Sequence, residues 1–289
     1  MLSGEYAVLQ QVPAIALPTK MGQHLQATPS VYGLQWQSFD PNGLWFEGKW
    51  DRKGNLLETT DSEVANRLSL LFRGISEFNP GFKIFEWNVT TKLDFPRSFG
   101  LGSSSSLIAL VGEWSNVSAM DLFFKYWKGS GYDVAVAVEK SSISYQLLEK
   151  SRAIWQKIEI QPANPQNWRF VYSRNKQSTY AEIDRISGKK IGEIEKKLLL
   201  EIHKELLHSQ RSVDWLRALE RHEQIIANFI GRPSIMSSIF PDAPKGFFAK
   251  SLGAWGGDFF LVYVGNQQAR DYLKSHKYTE VYSWNDFIA

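Results

Sequence analysis

The sequence predicts a protein of the α+β class. Residues 31–50 alternate apolar and polar side chains around a turn, which indicates an antiparallel hairpin. Several later segments repeat apolar residues every three or four positions, the spacing of one helix face. Hairpins in the first half of the chain and helices flanked by strands in the second favour this class over a doubly wound parallel sheet.

The hairpin prediction depends on a turn sequence, Asp-Pro-Asn-Gly, at residues 40–43. Leu34 and Trp36 precede this turn, and Leu44 and Phe46 follow it. The two members of each pair are two positions apart, so each pair points to one face of its strand.

A helix is predicted over residues 64–78, where apolar residues recur at helical spacing. Residues 60–63, Thr-Asp-Ser-Glu, have the spacing of a capping box at its start. Residues 79–81, Asn-Pro-Gly, end it. Residues 82–94 alternate again and predict a strand, and a glycine- and serine-rich turn follows at residues 98–106.

Residues 162–168 are rich in Pro, Asn and Gln and predict a boundary between a domain of residues 1–165 and one of residues 166–289. The other predicted elements are a helix carrying Leu107, Leu110, Val111 and Trp114, a strand at 170–173, a long helix with the stripe Ile191, Ile194, Leu198, Ile202 and Leu206, a helix at 213–230 and a strand at 259–264.

The composition limits the classes of protein that the chain can form. Its 289 residues allow one large domain or two ordinary ones, at roughly 100–200 residues per domain. Apolar residues make up 43% and charged residues 22%, which excludes a disordered chain. The net charge of +3 is too small to indicate nucleic acid or a membrane surface as a partner.

The absence of cysteine excludes disulfides, thiolate metal sites and cysteine nucleophiles. The chain contains no run of about 18 apolar residues, so no transmembrane helix is predicted. The start of the chain lacks the basic region and apolar stretch of a signal peptide. We therefore expect a cytoplasmic protein. His203 and His208 are five residues apart and His222 stands alone, so the histidines predict surface or helix-packing roles and no metal site.

The most informative segment is residues 96–106, Pro-Arg-Ser-Phe-Gly-Leu-Gly-Ser-Ser-Ser-Ser, between a predicted strand and a predicted helix. Glycines let the backbone approach a ligand closely. The amide groups at the start of the following helix attract an anion, and serine hydroxyls add hydrogen-bond donors or a ligand for Mg²⁺. No Gly-Lys-Ser/Thr follows, so this is not a Walker loop. The alternative is an ordinary turn with Ser103 capping the helix.

Two other glycine-bearing segments carry candidate residues. Asp133 lies in Gly-Ser-Gly-Tyr-Asp-Val-Ala, before an apolar run, where a carboxylate can act as a general base. A turn aspartate or helix cap is the alternative for this residue. Residues 250–258, Lys-Ser-Leu-Gly-Ala-Trp-Gly-Gly-Asp, taken alone predict a tight turn into a buried strand.

Together these segments resemble the motifs of the GHMP kinase superfamily. The first motif resembles residues 2–9, Leu-Ser-Gly-Glu-Tyr-Ala-Val-Leu. The second, Pro-x3-Gly-Leu-Gly-Ser-Ser, matches residues 96–104 at every fixed position. The third resembles residues 253–257, with Trp255 in place of a glycine. The first motif and the segment around Asp133 are most similar to mevalonate and phosphomevalonate kinases and to a bacterial mevalonate-kinase-like branch.

The resemblance implies a fold and a reaction. The fold has an N-terminal α+β domain shared with a ribosomal small-subunit protein and a ferredoxin-like C-terminal domain, with the active site between them. The reaction transfers the γ-phosphate of ATP to a small anionic acceptor, with ATP and Mg²⁺ bound and no nucleic-acid or membrane partner. The protein is expected to be a monomer or a homodimer and to act in isoprenoid biosynthesis.

The resemblance also assigns residues to roles. The ATP-binding residues are Gly100, Leu101, Gly102, Ser103, Ser104 and Ser105. Ser104 is the expected Mg²⁺ ligand, and Asp133 orients or deprotonates the acceptor. Glu5, Tyr6, Gly253, Ala254 and Gly256 are the expected substrate residues.

Two departures from the family pattern bear on these assignments. Mevalonate kinases place a metal-binding glutamate where this chain has Leu122, so Asp121 is the alternative ligand, unless Ser104, phosphates and water hold the metal. Relatives also carry a lysine just before the first motif. We expect either an upstream extension that supplies it or another cation, Lys20 or Arg97, in its place.

Two other functions stay open at this point. The first is a catalytically degenerate nucleotide-binding or scaffold protein on the same fold, which Trp255, Leu122 and the missing lysine favour. The second is a homoserine or sugar kinase, which would use the same core with different acceptor contacts.

Overall fold

The structure is a computed structural model that describes residues 1–174, 186, 188–209, 211–253, 255 and 257–289. These residues form both sheets and helices, which confirms the predicted α+β class. The chain divides into two compact units. The first unit contains residues 1–20, 98–100 and 139–289, and the second unit contains residues 21–97 and 101–138. The predicted boundary after residue 165 lies inside the first unit, so the compact units and the predicted domains divide the chain at different places.

The strands are β1 (Ala14–Ala16), β2 (Gln23–Pro29), β3 (Leu34–Asp40), β4 (Gly43–Trp50), β5 (Leu56–Thr59), β6 (Trp87–Leu93), β7 (Ile143–Glu149), β8 (Arg152–Lys157), β9 (Trp168–Tyr172), β10 (Phe247–Ser251), β11 (Phe259–Val264) and β12 (Val281–Ser283). The helices are α1 (Ser62–Phe78), α2 (Ser103–Ser115), α3 (Ala119–Tyr126), α4 (Tyr132–Glu139), α5 (Glu193–His208), α6 (Ser212–Ile230), α7 (Ile235–Ser238), α8 (Gln267–Ser275) and α9 (Trp284–Phe287).

The second unit is built on a five-stranded sheet in the order β2-β6-β3-β4-β5. The antiparallel pair β3–β4 turns at Asp40–Gly43, which confirms the predicted hairpin. β6 pairs parallel to β3 and antiparallel to β2. Trp36, Phe46 and Val89 leave one face of this sheet and pack into a buried cluster with Leu68 and Phe72 of α1.

Helix α1 occupies the predicted segment, but its cap differs from the prediction. The side chain of Asp61, one residue later than Thr60, accepts hydrogen bonds from the amides of Glu63 (2.9 Å) and Val64 (3.1 Å). Thr60 instead accepts a hydrogen bond from the Glu47 amide of β4, at 2.9 Å. A carboxylate is a strong cap next to the positive end of the helix dipole, so the capping position moves by one residue.

The first unit contains two sheets. The smaller has the strand order β1-β7-β8, and the larger has the order β10-β11-β9-β12. The predicted strand at residues 259–264 is therefore confirmed as β11. Val171, Phe260 and Val262 of the larger sheet pack into a buried cluster with Ala269 and Leu273 of α8.

Two sequence predictions about periodicity need correction. The predicted apolar stripe of α5 included Ile194, but this side chain is 72% exposed. The buried face of the helix carries Leu199, Ile202 and Leu206. The strand predicted at residues 82–94 begins only at Trp87, since a short 3₁₀ turn occupies Ile84–Glu86. In the described part of the chain, no helix combines the length and the apolar content needed to cross a bilayer.

Candidate functional site

The serine-rich loop of the second unit begins helix α2. Gly102 has φ 75°, a left-handed conformation that favours glycine, and immediately precedes the first helical residue, Ser103. Its carbonyl accepts hydrogen bonds from the amides of Ser105 and Ser106, each at 3.0 Å. Within the described part of the chain no side chain caps this helix, and its N-cap is Gly102 rather than Ser103, the cap in the alternative prediction. The amides of Ser103 and Ser104, which precede these two, have no acceptor within the helix and lie at its positive end, where an anion is stabilised.

The serines of this loop have different environments. Ser104 is exposed on the first turn, whereas Ser105 is buried. Ser106 donates a hydrogen bond to Gln23 Oε1 of β2 (2.6 Å) and to the carbonyl of Ser103 (3.1 Å). Ser106 thus anchors the helix start, while the hydroxyl of Ser104 is accessible to a phosphate oxygen or a metal ion.

The backbone of Gly102 is not covered by neighbouring residues. A Cβ atom placed on Gly102 would meet no other atom of the described residues within 4 Å. The backbone of the loop is thus open on that side, as close approach of an anion requires. For Mg²⁺, the exposed hydroxyl of Ser104 is a suitable oxygen ligand, and this metal usually keeps several waters and few protein ligands.

Gly100, the first glycine of the predicted loop, belongs to the first unit. It has φ 65°, and a Cβ atom at this position would overlap the carboxylate of Asp258. The preceding residues are held firmly, because Tyr172 Oη donates to the carbonyl of Ser98 at 2.8 Å. The ring of Phe99 packs on Tyr172, with ring centroids 4.5 Å apart, and on Phe259, at 5.7 Å.

Asp133 is the second residue of helix α4 in the second unit. Its side chain is half-buried, and Oδ1 accepts a hydrogen bond from the amide of Val134 at 3.2 Å. Gly131 precedes it with φ 77°, and a Cβ there would lie 3.0 Å from Met120 Cε and 3.1 Å from Phe123 Cδ1. Tight packing of Gly131 against α3 therefore fixes the position of the first turn of α4, which carries Asp133.

Asp121 and the neighbouring position where mevalonate kinases place a metal-binding glutamate differ in burial on α3. Asp121 is exposed in the first turn, whereas Leu122 is fully buried against α1. A Cβ at Gly74 of α1 would lie 2.6 Å from Leu122 Cδ2. Leu122 is thus a packing residue. Among the described residues, no group of three or more His, Asp or Glu side chains lies close enough together to hold a metal ion.

The two candidate cations occupy different settings. The guanidinium of Arg97 lies 3.7 Å from the ring centroid of Trp45, and its backbone amide donates to Asp40 Oδ2 at 3.3 Å. This cation–π contact orients an exposed charge at the start of the loop. Lys20, in the first unit, is exposed, and its backbone amide donates to the carbonyl of Phe287 at 2.9 Å.

The first and third motifs meet inside the first unit. Tyr6 is buried and has φ 59°, and its hydroxyl accepts a hydrogen bond from the amide of Trp255 at 2.8 Å. The Trp255 indole donates to the carbonyl of Pro233 at 3.0 Å. The tryptophan that replaces a family glycine therefore anchors this turn. Gly253 has φ 65° and open space around its Cβ position, and Ala254 and Gly256 lie outside the described residues.

Glu5, an expected substrate residue, belongs to a buried ionic cluster. Lys250 Nζ lies 2.6 Å from Glu5 Oε1 and donates to the carbonyl of Ser251 at 2.7 Å. Burial raises the pKa of Glu5, but the charge of Lys250 and its hydrogen bond to the carboxylate outweigh this effect, so the net pKa is lowered. Glu5 and Lys250 thus form a charged pair with no exposure to solvent.

His222 packs against this pair as a neutral side chain. Its Nε2 accepts a hydrogen bond from the amide of Gly4 at 2.8 Å, which assigns the ring proton to Nδ1. Burial and the nearby Lys250 charge together lower the pKa of His222 to about 3, although the Glu5 carboxylate opposes them. The 3.4 Å approach of His222 Nε2 to Glu5 Oε2 is therefore not an ion pair.

Glu223, the next residue of α6, joins the same cluster. Its carboxylate accepts hydrogen bonds from the amides of Ile235 (3.3 Å) and Ser251 (3.3 Å to Oε2). Burial raises the pKa of Glu223 to about 7, and Lys250 opposes this effect only in part. Glu223 therefore exchanges a proton near neutral pH while it holds the end of β10.

Sequence reasoning did not find Lys250, His222 or Glu223 as members of a site. One local signal was present, because Lys250 is the only charged residue in the buried strand Phe247–Ser251. The histidine prediction is confirmed in its helix-packing form, since His203 and His222 are both buried on helices. His203 Nε2 lies 3.0 Å from Ser144 Oγ of β7, and burial lowers its pKa to about 4.

Comparison with solved structures identifies proteins of the same fold. A Streptococcus pneumoniae phosphomevalonate kinase in complex with phosphomevalonate and AMPPNP is 15% identical, with a TM-score of 0.70 over 98% of this chain and 96% of that chain. An L. major mevalonate kinase in complex with R-mevalonate is 16% identical, with a TM-score of 0.64 over 98% and 91%. A D-glycero-D-manno-heptose 1-phosphate kinase from Bacteroides thetaiotaomicron is 13% identical, with a TM-score of 0.63 over 95% and 88%.

No protein-family profile and no curated protein sequence matches the chain. The similarity therefore lies in the fold, which extends over nearly the whole length of both chains. These structural neighbours are kinases of the GHMP superfamily, the group that the glycine motifs predicted.

Proposed function

We propose that this chain, which has the fold of the GHMP kinases, is an ATP- and Mg²⁺-dependent kinase of a small anionic molecule. The observation that carries the proposal is the start of α2, where Gly102 has a left-handed backbone and the helix has no side-chain cap. This arrangement offers amide groups and the positive helix end to a triphosphate. The neighbour solved with AMPPNP supports the same assignment.

In this proposal each residue of the loop has a defined task. Residues 100–105 bind the triphosphate through their amides and hydroxyls, and the Ser104 hydroxyl is a ligand of Mg²⁺. The metal, when bound, neutralises charge that spreads over the transferring phosphoryl group. Fixed backbone donors at the helix start stabilise the same charge without reorganisation during the reaction.

Asp133 is the proposed catalytic residue. Its carboxylate accepts the proton of the acceptor hydroxyl, or of an acceptor phosphate if that group is protonated. The acceptor oxygen bonds to the γ-phosphorus of ATP, and the bond from that phosphorus to the bridging oxygen breaks. ADP leaves with the electron pair of that bond. The half-buried position of Asp133 at the start of α4 keeps the carboxylate oriented for this step.

Mevalonate or phosphomevalonate is the proposed acceptor, which would place the protein in isoprenoid biosynthesis. Neighbours solved with phosphomevalonate and with R-mevalonate support this choice. A sugar kinase is the second candidate, since a heptose 1-phosphate kinase shares the fold. A degenerate nucleotide-binding protein is the third, because Leu122 is a core residue where mevalonate kinases carry a metal-binding glutamate.

We further propose the finer features that the resemblance implies. They are a ribosomal-protein-like N-terminal domain of residues 1–165, a ferredoxin-like C-terminal domain of residues 166–289, a cytoplasmic location, and a monomeric or homodimeric state. In this scheme Glu5, Tyr6 and Gly253 act near the acceptor. The burial of Glu5 and Tyr6 restricts them to supporting the acceptor site from within the fold.

One experiment tests the function in two stages. Thermal melting is measured with AMPPNP and Mg²⁺, because a ligand that prefers the folded state raises the melting temperature. Release of ADP from ATP–Mg²⁺ is then measured with mevalonate, phosphomevalonate, homoserine and common sugars. Nucleotide binding with turnover of one acceptor supports the kinase. Binding without turnover of any acceptor supports the degenerate protein, and absence of binding contradicts both.

A further inference from the structure

Strand β10 lies at the edge of the larger sheet in the first unit, and side chains bind two of its outer amides. The amide of Ala249 donates to Met236 Sδ at 3.1 Å. The amide of Ser251, the last residue of the strand, donates to Glu223 Oε2 at 3.3 Å. Glu223 therefore holds the strand at the point where the turn of the third glycine motif begins.

The same carboxylate also holds the start of helix α7, because its Oε1 accepts a hydrogen bond from the amide of Ile235 at 3.3 Å. The turn of the third motif contacts this region a second time through Trp255, whose indole donates to the carbonyl of Pro233 at 3.0 Å. One carboxylate and one indole thus join the turn to the residues around the start of α7. The position of the turn depends on the contact that Glu223 makes.

The proton of Glu223 decides the net charge of the buried cluster at this turn. Lys250 of β10 and Glu5 of the segment before β1 are the charged groups that act on Glu223, and their charges cancel. His222, the preceding residue of α6, is neutral near pH 7 because its pKa is about 3. The cluster is therefore neutral when Glu223 is protonated and negative when it is ionised. Glu223 is 2% exposed, so water screens this charge only weakly.

The residue that Glu223 binds offers groups for both of its proton states. The ionised carboxylate accepts the Ser251 amide in a charge-assisted hydrogen bond. The protonated carboxyl gains an O–H donor, and Ser251 Oγ is a buried oxygen without a hydrogen-bond partner among the described residues. Because burial raises the pKa of Glu223 to about 7, both states are populated near neutral pH.

We propose that Glu223 is a positioning residue of the acceptor site, and that its proton sets the affinity of the third-motif turn for an anionic acceptor. This inference rests on the proposed function, in which Gly253 of this turn acts near the acceptor. The neutral cluster favours the anion, whereas the ionised cluster repels it. Since Glu223 is buried and acts through the turn, it changes acceptor binding and not the chemical step.

The test measures kcat and KM for mevalonate from about pH 6 to about pH 8, on either side of the Glu223 pKa, in the unchanged protein and in Glu223→Gln. Mevalonate carries a carboxylate, which stays ionised in this range. Glutamine keeps the size of the side chain and an acceptor oxygen, but it has no proton to lose. We expect the KM of the unchanged protein, divided by that of the variant, to rise with pH by roughly fivefold, near the lower end of the usual binding couplings.

This ratio reports Glu223 alone, because other titrating groups act on both proteins alike. A purely structural role would lower kcat through the folded fraction and would leave the KM ratio constant with pH. The matched control is Glu220→Gln, exposed on the same helix, which should keep the KM profile of the unchanged protein. A constant KM ratio for Glu223→Gln would overturn the inference and leave the proposed function intact.

The same series uses phosphomevalonate if mevalonate is not turned over, since the ratio also cancels the titration of the acceptor phosphate. Absence of turnover of both acceptors at every pH would overturn the proposed acceptor and this inference with it.

A second measurement needs no substitution and covers the case in which Glu223→Gln does not fold. The glutamate carboxyl groups of the unchanged protein are titrated by NMR, with and without the same acceptor. We expect one of them to titrate near pH 7. Because the coupling between proton and acceptor is reciprocal, the acceptor should move this midpoint upward by about 0.7, the logarithm of a fivefold coupling. The absence of such a titration, or a midpoint that the acceptor leaves in place, would contradict the role of Glu223.

Discussion

Lys250 and Glu5 form an ion pair that is sealed from solvent, with Nζ 2.6 Å from Oε1. The two residues are 245 positions apart in the chain, and their side chains are 0% and 1% exposed. The pair joins the end of β10 to the segment before β1. Because Lys250 also donates to the carbonyl of Ser251, one ammonium group fixes the start of the turn that contains Gly253 and Trp255.

Lys250→Met should destabilise the protein by about 3–5 kcal/mol, because it leaves the Glu5 carboxylate buried without a countercharge. Replacing both partners, Glu5→Leu with Lys250→Met, should restore most of this loss, since two apolar side chains leave no unpaired charge. Urea denaturation measures both. The control is Lys245→Met, at an exposed position of the same unit. A loss below about 1 kcal/mol in Lys250→Met, the range of exposed pairs, would contradict the prediction.

The stability of the fold should change with the protonation of Glu223. Burial raises its pKa from 4.5 to about 7, so the folded protein keeps a proton that the unfolded chain releases. This contribution to the free energy of unfolding is fully present below pH 4.5 and is lost as pH rises through about 7. Glu5, whose pKa is lowered from 4.5, changes stability only below that pH. His222, whose pKa is lowered from 6.5 to about 3, makes stability rise with pH between these two values and so opposes the Glu223 contribution there.

Glu223→Gln removes this titration and tests it. The free energy of unfolding of the variant, relative to the unchanged protein, should increase between pH 4.5 and pH 7. The pKa of Glu223 differs by about 2.5 between the folded and the unfolded protein, and a difference of one corresponds to about 1.36 kcal/mol. The expected increase is therefore about 3 kcal/mol. Urea denaturation at several pH values measures it, and Glu220→Gln, exposed on the same helix, is the control. A difference that stays constant with pH would show that Glu223 has an ordinary pKa.

Gly100 and Gly102 should respond differently to substitution, although both have positive φ. Gly102→Ala costs about 1–2 kcal/mol for the left-handed backbone alone, because its Cβ meets open space. Gly100→Ala should cost more, because its Cβ also displaces the carboxylate of Asp258. Urea denaturation of the two variants checks this order, and equal losses would contradict it.

Gly102→Val should abolish the increase in melting temperature that AMPPNP and Mg²⁺ produce. A β-branched side chain is strained at φ 75° and fills the space that the phosphate needs. Thermal melting with and without nucleotide measures this. The control for general damage is the melting temperature without nucleotide. An unchanged nucleotide shift in a folded Gly102→Val would place the nucleotide elsewhere.

Asp133→Asn should lower kcat by roughly 10²–10⁴-fold, because asparagine cannot accept the acceptor proton. AMPPNP affinity should change little. Ser104→Ala is the matched variant of the metal role, and it should weaken the Mg²⁺-dependent part of nucleotide binding instead. Steady-state kinetics and calorimetry separate the two effects. Full activity in Asp133→Asn would show that this residue is not catalytic and has only a structural role at the start of α4.

Much of the secondary structure was predictable because its causes are local. The β3–β4 hairpin follows from a turn sequence between two alternating segments, and α1 follows from its apolar spacing and the Asn-Pro-Gly that ends it. The glycine loop was predictable for the same reason, since it needs small residues at fixed positions before a helix. Even here, the helix cap moved to Asp61, because neighbouring β4 binds Thr60.

The sequence by itself determined the α+β class, the main helices and strands, and the loop before α2, all of which depend on residues near one another in the chain. Only the tertiary structure decided which charged residues are buried together and what they face. Lys250 with Glu5, Glu223 with the end of β10, and Asp258 with Gly100 are brought together by packing of distant segments. Spacing along the chain contains no record of these contacts, because burial and charge pairing arise only when the distant segments pack.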